Sequence, residues 1–198
     1  LLEAAEEFGD DRRSKLIERE AAQAIDESEL LTIDPVTVVL SARGFARAAK
    51  GHDIDAQALS YKSGDRYLAS AKGRSNQFAV FMDSAGRAYS LPAHTLPSAR
   101  GQGEPLSGRL KPTDGARFCG VMIGDENARW LVASDAGYGF FVKLGDLHSR
   151  AKAGKAALKV IGAGKPVVPA PFVADEFPGE AMVAAVSSTG RLLLFWAE

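Results

Sequence analysis

Lysine and arginine recur in this chain inside short glycine-rich stretches. Leu96-Pro-Ser-Ala-Arg-Gly-Gln-Gly103 is one, Leu147-His-Ser-Arg-Ala-Lys-Ala-Gly-Lys155 is a second, and Ala48-Ala-Lys-Gly51 is a shorter third. Cationic side chains on such loops suit contact with a polyanion, above all the phosphates of a nucleic acid, without reading base sequence. One loop of this kind reads as a solvated turn; recurrence at related places shifts the reading toward a shared role. The basic residues that could carry it are Arg43, Arg47 and Lys50; Lys72, Arg74, Arg87 and Arg100; and Lys143, Arg150, Lys152, Lys155 and Arg191. Lys50, Arg100, Arg150 and Lys152 stand out because they fall in or beside the repeated loops. For each of these residues the alternative is an exposed, solubilising charge.

Other chemistry finds little support. His52, His94 and His148 show no metal-ligand spacing and read as turn or surface residues. Tyr61, Tyr67, Tyr89 and Tyr138 fit strand or turn positions. There is no Ser/His/Asp set, paired-carboxylate pattern or glycine-rich nucleotide motif at a specific spacing, so no catalytic residue is assigned. The single cysteine, Cys119, lies beside Val121 and Ile123 and reads as a buried structural thiol. One thiol allows neither an internal disulfide nor a cysteine-rich metal site, and a reduced cytoplasmic setting is the simple reading.

The elements that must position the loops are strands. From Pro35 onward, short runs rich in Val, Phe, Leu and Ala alternate with Gly/Ser/Asp turns. Examples are Val36–Leu40, Tyr67–Ala71, Phe78–Met82, Trp130–Ala133, Gly139–Leu144, Met182–Val186 and Leu192–Trp196. Trp130 and Trp196 lie within these runs and read as core. No long amphipathic helix interrupts them, which disfavours a parallel sheet with helical crossovers.

Four of the runs share one form. An apolar run ends in a small or acidic residue, glycine follows two or three positions on, and a second run begins. The four glycines are Gly44, Gly86, Gly137 and Gly190, at intervals of 42, 51 and 53 residues. Each unit reads as a β-hairpin whose glycine takes a positive φ. The period fits a four-stranded propeller blade. About four repeats are present, the last reaching only its first hairpin. In a propeller, equivalent loops line up around one rim, and basic loops there make a curved positive track suited to bent duplex DNA.

Residues 1–31 differ. Leu1, Leu2, Ala5 and Phe8 recur at helical spacing, and Arg12 to Leu31 contains no Pro or Gly, so a helical leader is expected. The expected division is therefore a leader over 1–31 and a β-domain over 32–198. Charge divides in a similar way. Residues 1–34 carry eleven acids and four bases, a net −7, whereas residues 35–198 carry fourteen acids and twenty bases, a net +6. The overall −1 hides a basic body. No apolar run approaches the roughly 18–20 residues that span a bilayer, so no membrane insertion is expected. The first residue is Leu, and the chain reads as a piece excised from a longer protein.

Two motifs carry a resemblance. Glu7-Phe-Gly-Asp-Asp-Arg-Arg-Ser-Lys-Leu-Ile17 resembles the segment closing the coiled-coil region of bacterial type IIA topoisomerase A subunits, usually Phe-Gly-Asp-x-Arg-Arg-Thr, with Ser14 replacing the Thr. Val36–Arg47 with the following Lys50-Gly-His-Asp53 resembles the first blade of their C-terminal domain. The gyrase branch carries Gln-Arg-Arg-Gly-Gly-Lys-Gly, which is absent here; Ser98-Ala-Arg-Gly-Gln-Gly103 and Arg150-Ala-Lys-Ala-Gly-Lys155 are degenerate matches. The chain is therefore more similar to the topoisomerase IV branch, with a gyrase A C-terminal domain as the alternative.

The resemblance implies a β-pinwheel, a propeller variant that exchanges strands between neighbouring blades, running on beyond the present C-terminus. It also implies sequence-nonspecific binding and bending of duplex DNA, supporting decatenation and supercoil relaxation by the parent enzyme. That enzyme's ATP and Mg sites and its active-site Tyr belong to regions not present. Its partners are another copy of the same polypeptide and the separate ATPase polypeptide, in the bacterial cytoplasm at the nucleoid. A rival of another class is a generic propeller that binds proteins; the chain has neither the Trp-Asp nor the Gly-Gly pair of the common repeat families.

Overall fold

The four hairpins share one turn geometry, a positive-φ glycine bonded to the carbonyl three residues back, and it organises the strands around it. In a computed structural model, which describes residues 2–9, 32–162, 164–172 and 181–197, the chain divides into two units, Leu1–Leu30 and Leu31–Glu198. In the first, helix α1 (Leu2–Phe8) forms where the leading apolar spacing expects it. The second expected helical run, over 12–31, lies outside the described residues.

The second unit is β-structure. Its strands are β1 (Pro35–Ser41), β2 (Phe45–Lys50), β3 (Tyr67–Arg74), β4 (Phe78–Asp83), β5 (Arg87–Pro92), β6 (Glu104–Pro105), β7 (Phe118–Met122), β8 (Arg129–Ala133), β9 (Gly139–Lys143), β10 (Lys155–Ala156), β11 (Ala170–Phe172), β12 (Met182–Val186) and β13 (Leu192–Trp196). Four hairpins, β1–β2, β4–β5, β8–β9 and β12–β13, share one register. Their outermost pairs are Val36 with Lys50, Phe78 with Pro92, Arg129 with Lys143 and Met182 with Trp196. In every case these stand eight residues before and six after the turn glycine.

Gly44, Gly86, Gly137 and Gly190 have φ of 80°, 75°, 84° and 78°, a region that a side chain disfavours. Each glycine N–H donates to the carbonyl three residues back, on Ser41, Asp83, Ser134 and Ser187. In three of the four turns that residue's side chain then closes the turn. Ser41 Oγ, Asp83 Oδ1 and Ser187 Oγ accept the amides of Phe45, Arg87 and Arg191. This is why a Ser or Asp precedes the glycine by three positions.

The sheets are ordered β3-β1-β2-β6, β10-β5-β4-β7, β11-β8-β9 and β12-β13. In the first three, a later strand, β3, β7 or β11, pairs back onto the hairpin's first strand. The fourth position is lent by the next repeat: β6 follows the second hairpin yet pairs with β2, and β10 follows the third hairpin yet pairs with β5. This exchange makes the fold a β-pinwheel. β3 and β7 pack together, so the third strands lie inward while β6 and β10 form the outer edges of their blades.

One core runs through the blades. Leu40, Phe81, Met82, Tyr89, Leu106, Met122, Val132 and Leu144 are fully buried. Strand β4 is buried from Ala79 to Asp83 on both faces, because neighbouring blades cover it. Phe118 meets the rings of Phe81 and Tyr89 edge-on at 6.4 and 5.5 Å. Trp130 is buried as expected, but Trp196 is 57% exposed. Among the described residues no third strand pairs with β12, so the last hairpin has no inner neighbour to cover its apolar side chains.

Candidate nucleic-acid interface

The two long glycine-rich stretches are the crossovers that lend a strand to the preceding blade. After β5 a 3-10 turn, Ala93–Thr95, leads to buried Leu96; after β9 another, Leu144–Leu147, ends on buried Leu147. From each leucine the chain runs seven residues to a glycine, Gly103 or Gly154, and then enters β6 or β10. The first crossover lies along β2: Ala48 N–H donates to Pro97 at 2.8 Å, and Ala99 N–H to Ala48 at 2.9 Å. The second lies along β5, with Ser149 N–H on Ser90 Oγ at 3.0 Å.

Both glycines are sterically required. Gly103 has φ +83° and Gly154 φ +65°, and a Cβ would stand 2.7 Å from the Ala46 carbonyl oxygen or 2.6 Å from that of Ala88. Ala46 and Ala88 hold the same place in their blades, so the two loops do too. Each covers an exposed sheet edge, which removes a site for strand addition. The expected third copy, Ala48–Gly51, is not a crossover. Ala48, Ala49 and Lys50 are the end of β2, the strand over which the first loop runs.

On these loops Arg100, Arg150, Lys152 and Lys155 are exposed. The Lys155 ammonium group donates to the Asp146 carbonyl within its own loop region. Lys111, not singled out in the sequence, joins them: its N–H donates to the Lys152 carbonyl at 2.8 Å, and the residue is exposed. It sits on the connection between β6 and β7, and no repeat marks it. The remaining exposed candidates lie elsewhere on the blades. Lys50 and Lys143 end the second hairpin strands of the first and third blades, Arg74 ends β3 and Lys72 lies within it, and Arg43 and Arg191 flank hairpin turns. Lys50 also pairs with Asp34 at 3.4 Å, an exposed pair of small energetic weight. The twelve candidates thus do not form one patch.

Two of the candidates spend their side chains on internal contacts. Arg47 is only 3% exposed, beyond reach of a phosphate. Its Nη1 donates to the Gly101 carbonyl at 2.7 Å, and its guanidinium lies 4.6 Å over the Tyr61 ring. Arg87 is half-buried, with Nε on the Ala153 carbonyl at 2.9 Å and Nη2 on the Gly154 carbonyl at 2.8 Å. Both side chains are turned into the crossovers. Arg43 also makes internal bonds, its Nη1 to Ser63 and its amide to Asp65. Burial opposes ionisation of Asp65, but the Ser41 hydroxyl, the Arg66 and Arg43 amides and the Arg43 charge outweigh it and hold the carboxyl below its ordinary value.

The remaining polar groups are structural. The Tyr89 hydroxyl donates to Asp83 Oδ2 at 2.7 Å, and burial followed by that bond pushes it up to about 12. Cys119 is also pushed up to about 12, by burial and then the Asp83 charge, so it is no nucleophile at neutral pH. His148 is half-buried against the Phe78 ring, rather than a surface residue, with Nδ1 3.8 Å from Glu126. His52 Nε2 meets the Gly73 carbonyl, and His94 is exposed. Among the described residues there is no group of three or more His, Cys, Asp or Glu placed to hold a metal, and no helix long and apolar enough to cross a membrane.

No family model matches the chain. It is 57% identical over 195 residues to the A subunit of DNA topoisomerase 4 from Pseudomonas aeruginosa, covering 98% of this chain and 26% of that protein. The chain thus spans about a quarter of the length of the curated relatives it matches. The solved E. coli ParC C-terminal domain superposes with a TM-score of 0.70 at 45% identity, over 82% of this chain and 64% of that one. The DNA gyrase A C-terminal domain shares the fold, with a TM-score of 0.57 at 15% identity over 83% of this chain and 55% of that one. With both crossover loops departing from the gyrase sequence pattern and the higher identity on the other side, the chain belongs to the topoisomerase IV A-subunit family and matches its C-terminal domain.

Proposed function

We propose that this domain binds duplex DNA through its phosphates, without reading sequence, and bends it along the outer edges of the blades. The observation that carries this reading is the equivalent placement of two basic crossover loops on successive blades, with Lys111 tied to the second. Neighbouring blades in a pinwheel are rotated relative to each other, so a duplex following both loops must curve. Smooth bending of a short site costs on the order of 1–6 kcal/mol, which added phosphate contacts offset. Exposed Lys and Arg on glycine-rich loops are suited to those contacts, because they meet the backbone and not the base edges.

In the parent protein, a bacterial type IIA ATP-dependent topoisomerase, the bend would bring a DNA segment toward the cleavage gate and so support decatenation and supercoil relaxation. ATP and Mg are assigned to regions outside this domain. Its proposed protein partners are another copy of the parent polypeptide and the separate ATPase polypeptide, and its proposed place is the nucleoid in the bacterial cytoplasm. Duplex affinity measured against salt tests the reading. A linear fall of log K with log salt, the same for unrelated sequences, supports it; salt-independent affinity or no binding contradicts it.

A further inference from the structure

Arg47 and Arg87 each spend their donors on the backbone of a crossover loop. A guanidinium has five N–H donors and no acceptor, and deep burial of its charge is costly unless it is paired. Among the described residues Arg47 has no carboxylate partner, its Nη2 is buried without any hydrogen-bond partner, and yet the side chain is 3% exposed. Its contacts are the Gly101 carbonyl and the Tyr61 ring. Arg87 makes the corresponding contact one blade on, to Ala153 and Gly154.

The two arginines are not copies of one repeat position. Arg47 stands three residues after its turn glycine and Arg87 one. They reach the same part of equivalent loops from different places in the strand, which points to a requirement of the loop. Peptide planarity says what that requirement accomplishes. Among the described residues no peptide bond is cis, so the carbonyl of Gly101 and the N–H of Gln102 point in opposite directions. With the carbonyl drawn inward to Arg47, the Gln102 N–H faces outward beside exposed Arg100.

We propose that Arg47 and Arg87 are positioning residues for DNA-backbone binding. They touch no phosphate; they hold the crossovers with carbonyls inward, so that amide donors and the side chains of Arg100, Arg150 and Lys152 face the duplex. This rests on the DNA-binding reading above.

The test uses the 198-residue chain and a random-sequence duplex over a range of salt, with thermal melting and amide hydrogen exchange as controls. Arg47→Met is expected to weaken binding about tenfold, the size of a lost charge-assisted bond, while the log–log salt slope stays unchanged. Arg100→Ala, by contrast, lowers that slope by about 0.9, the value for one phosphate contact. Arg47→Met is expected to lose most of its effect in the Arg100→Ala background, because it acts through the same loop. Faster exchange is expected in residues 98–103 and not in β1 or β4. Should Arg47→Met fail to fold, Arg87→Met carries the corresponding expectations for the second crossover: weaker binding at unchanged slope, faster exchange in residues 149–154, and loss of its effect in an Arg150→Ala, Lys152→Ala background. A slope reduced by one for Arg47→Met, unchanged affinity in a folded variant, or additive effects with Arg100→Ala would overturn the positioning role. A wild-type chain with no salt-dependent binding sinks the underlying reading as well, and is told apart by the wild-type curve alone.

Discussion

A Cβ on Gly103 would stand 2.7 Å from the carbonyl oxygen of Ala46, on the neighbouring strand β2. Gly154 meets Ala88 in the same way at 2.6 Å. Gly103→Ala and Gly154→Ala therefore combine a strained positive φ with a backbone collision. Each is expected to destabilise by about 2–4 kcal/mol, read by denaturant unfolding. Gly137→Ala is the control: its φ is +84°, but nothing lies within 4 Å of the added Cβ. About 1–2 kcal/mol is expected there, the left-handed penalty alone. Equal losses at all three positions would show that the close approach contributes nothing.

Asp83 is the buried polar hinge of the second blade. Its carboxylate accepts the amides of Ala85 and Arg87 and the Tyr89 hydroxyl. Tyr89→Phe removes one bond and is expected to cost about 1–2 kcal/mol. Asp83→Ala strands three buried or half-buried donors and is expected to cost roughly twice as much or more. Chemical denaturation of both variants checks the order; a milder effect for Asp83→Ala would contradict the network.

Cys119 should resist alkylation in the folded chain. Its thiol is pushed up to about 12 and its Sγ donates to the Met82 carbonyl. At pH 8, iodoacetamide labelling is expected only on the timescale of unfolding, and to become rapid in denaturant. Fast labelling of the native chain would show an open second blade.

The turn chemistry was legible in the sequence because it is local. Ser or Asp three residues before a glycine requires only neighbouring atoms, and all four hairpins formed where that pattern stood. The strand exchange was implied by the resemblance and by no local signal, since β6 and β10 are two residues each and owe their pairing to contacts with β2 and β5 far along the chain. For the same reason Arg47 looked like an available cation. In Phe45–Lys50 no apolar alternation marks its side as inward; burial comes from a loop more than fifty residues away. Lys111 has no counterpart in the other repeats, and only its backbone bond to Lys152 places it beside the loop. Trp196 looked like core by composition, yet its hairpin lacks an inner strand among the described residues.

Acidification should weaken the seam between the second and third blades. Burial lowers His148 below its usual 6.5, the Glu126 charge partly opposes this and Lys155 adds to it. Folded protein then binds fewer protons at this site than unfolded protein. Stability is complete above 6.5, falls as pH drops through that value, and levels off below the folded value. A fall in Tm between pH 7 and pH 5 that is reduced in His148→Gln is the expected outcome. An equal fall in the variant would assign the effect elsewhere.

The central claim is that the crossover loops form the track on which DNA bends. Its most direct measurement is end-to-end energy transfer across a labelled duplex, with the wild-type chain and with Arg100→Glu, Arg150→Glu and Lys152→Glu combined. The account predicts shortened end-to-end distance for wild type at low salt. For the folded triple variant it predicts loss of both binding and bending, alike for unrelated sequences. A triple variant that binds and bends DNA as the wild type does would contradict it.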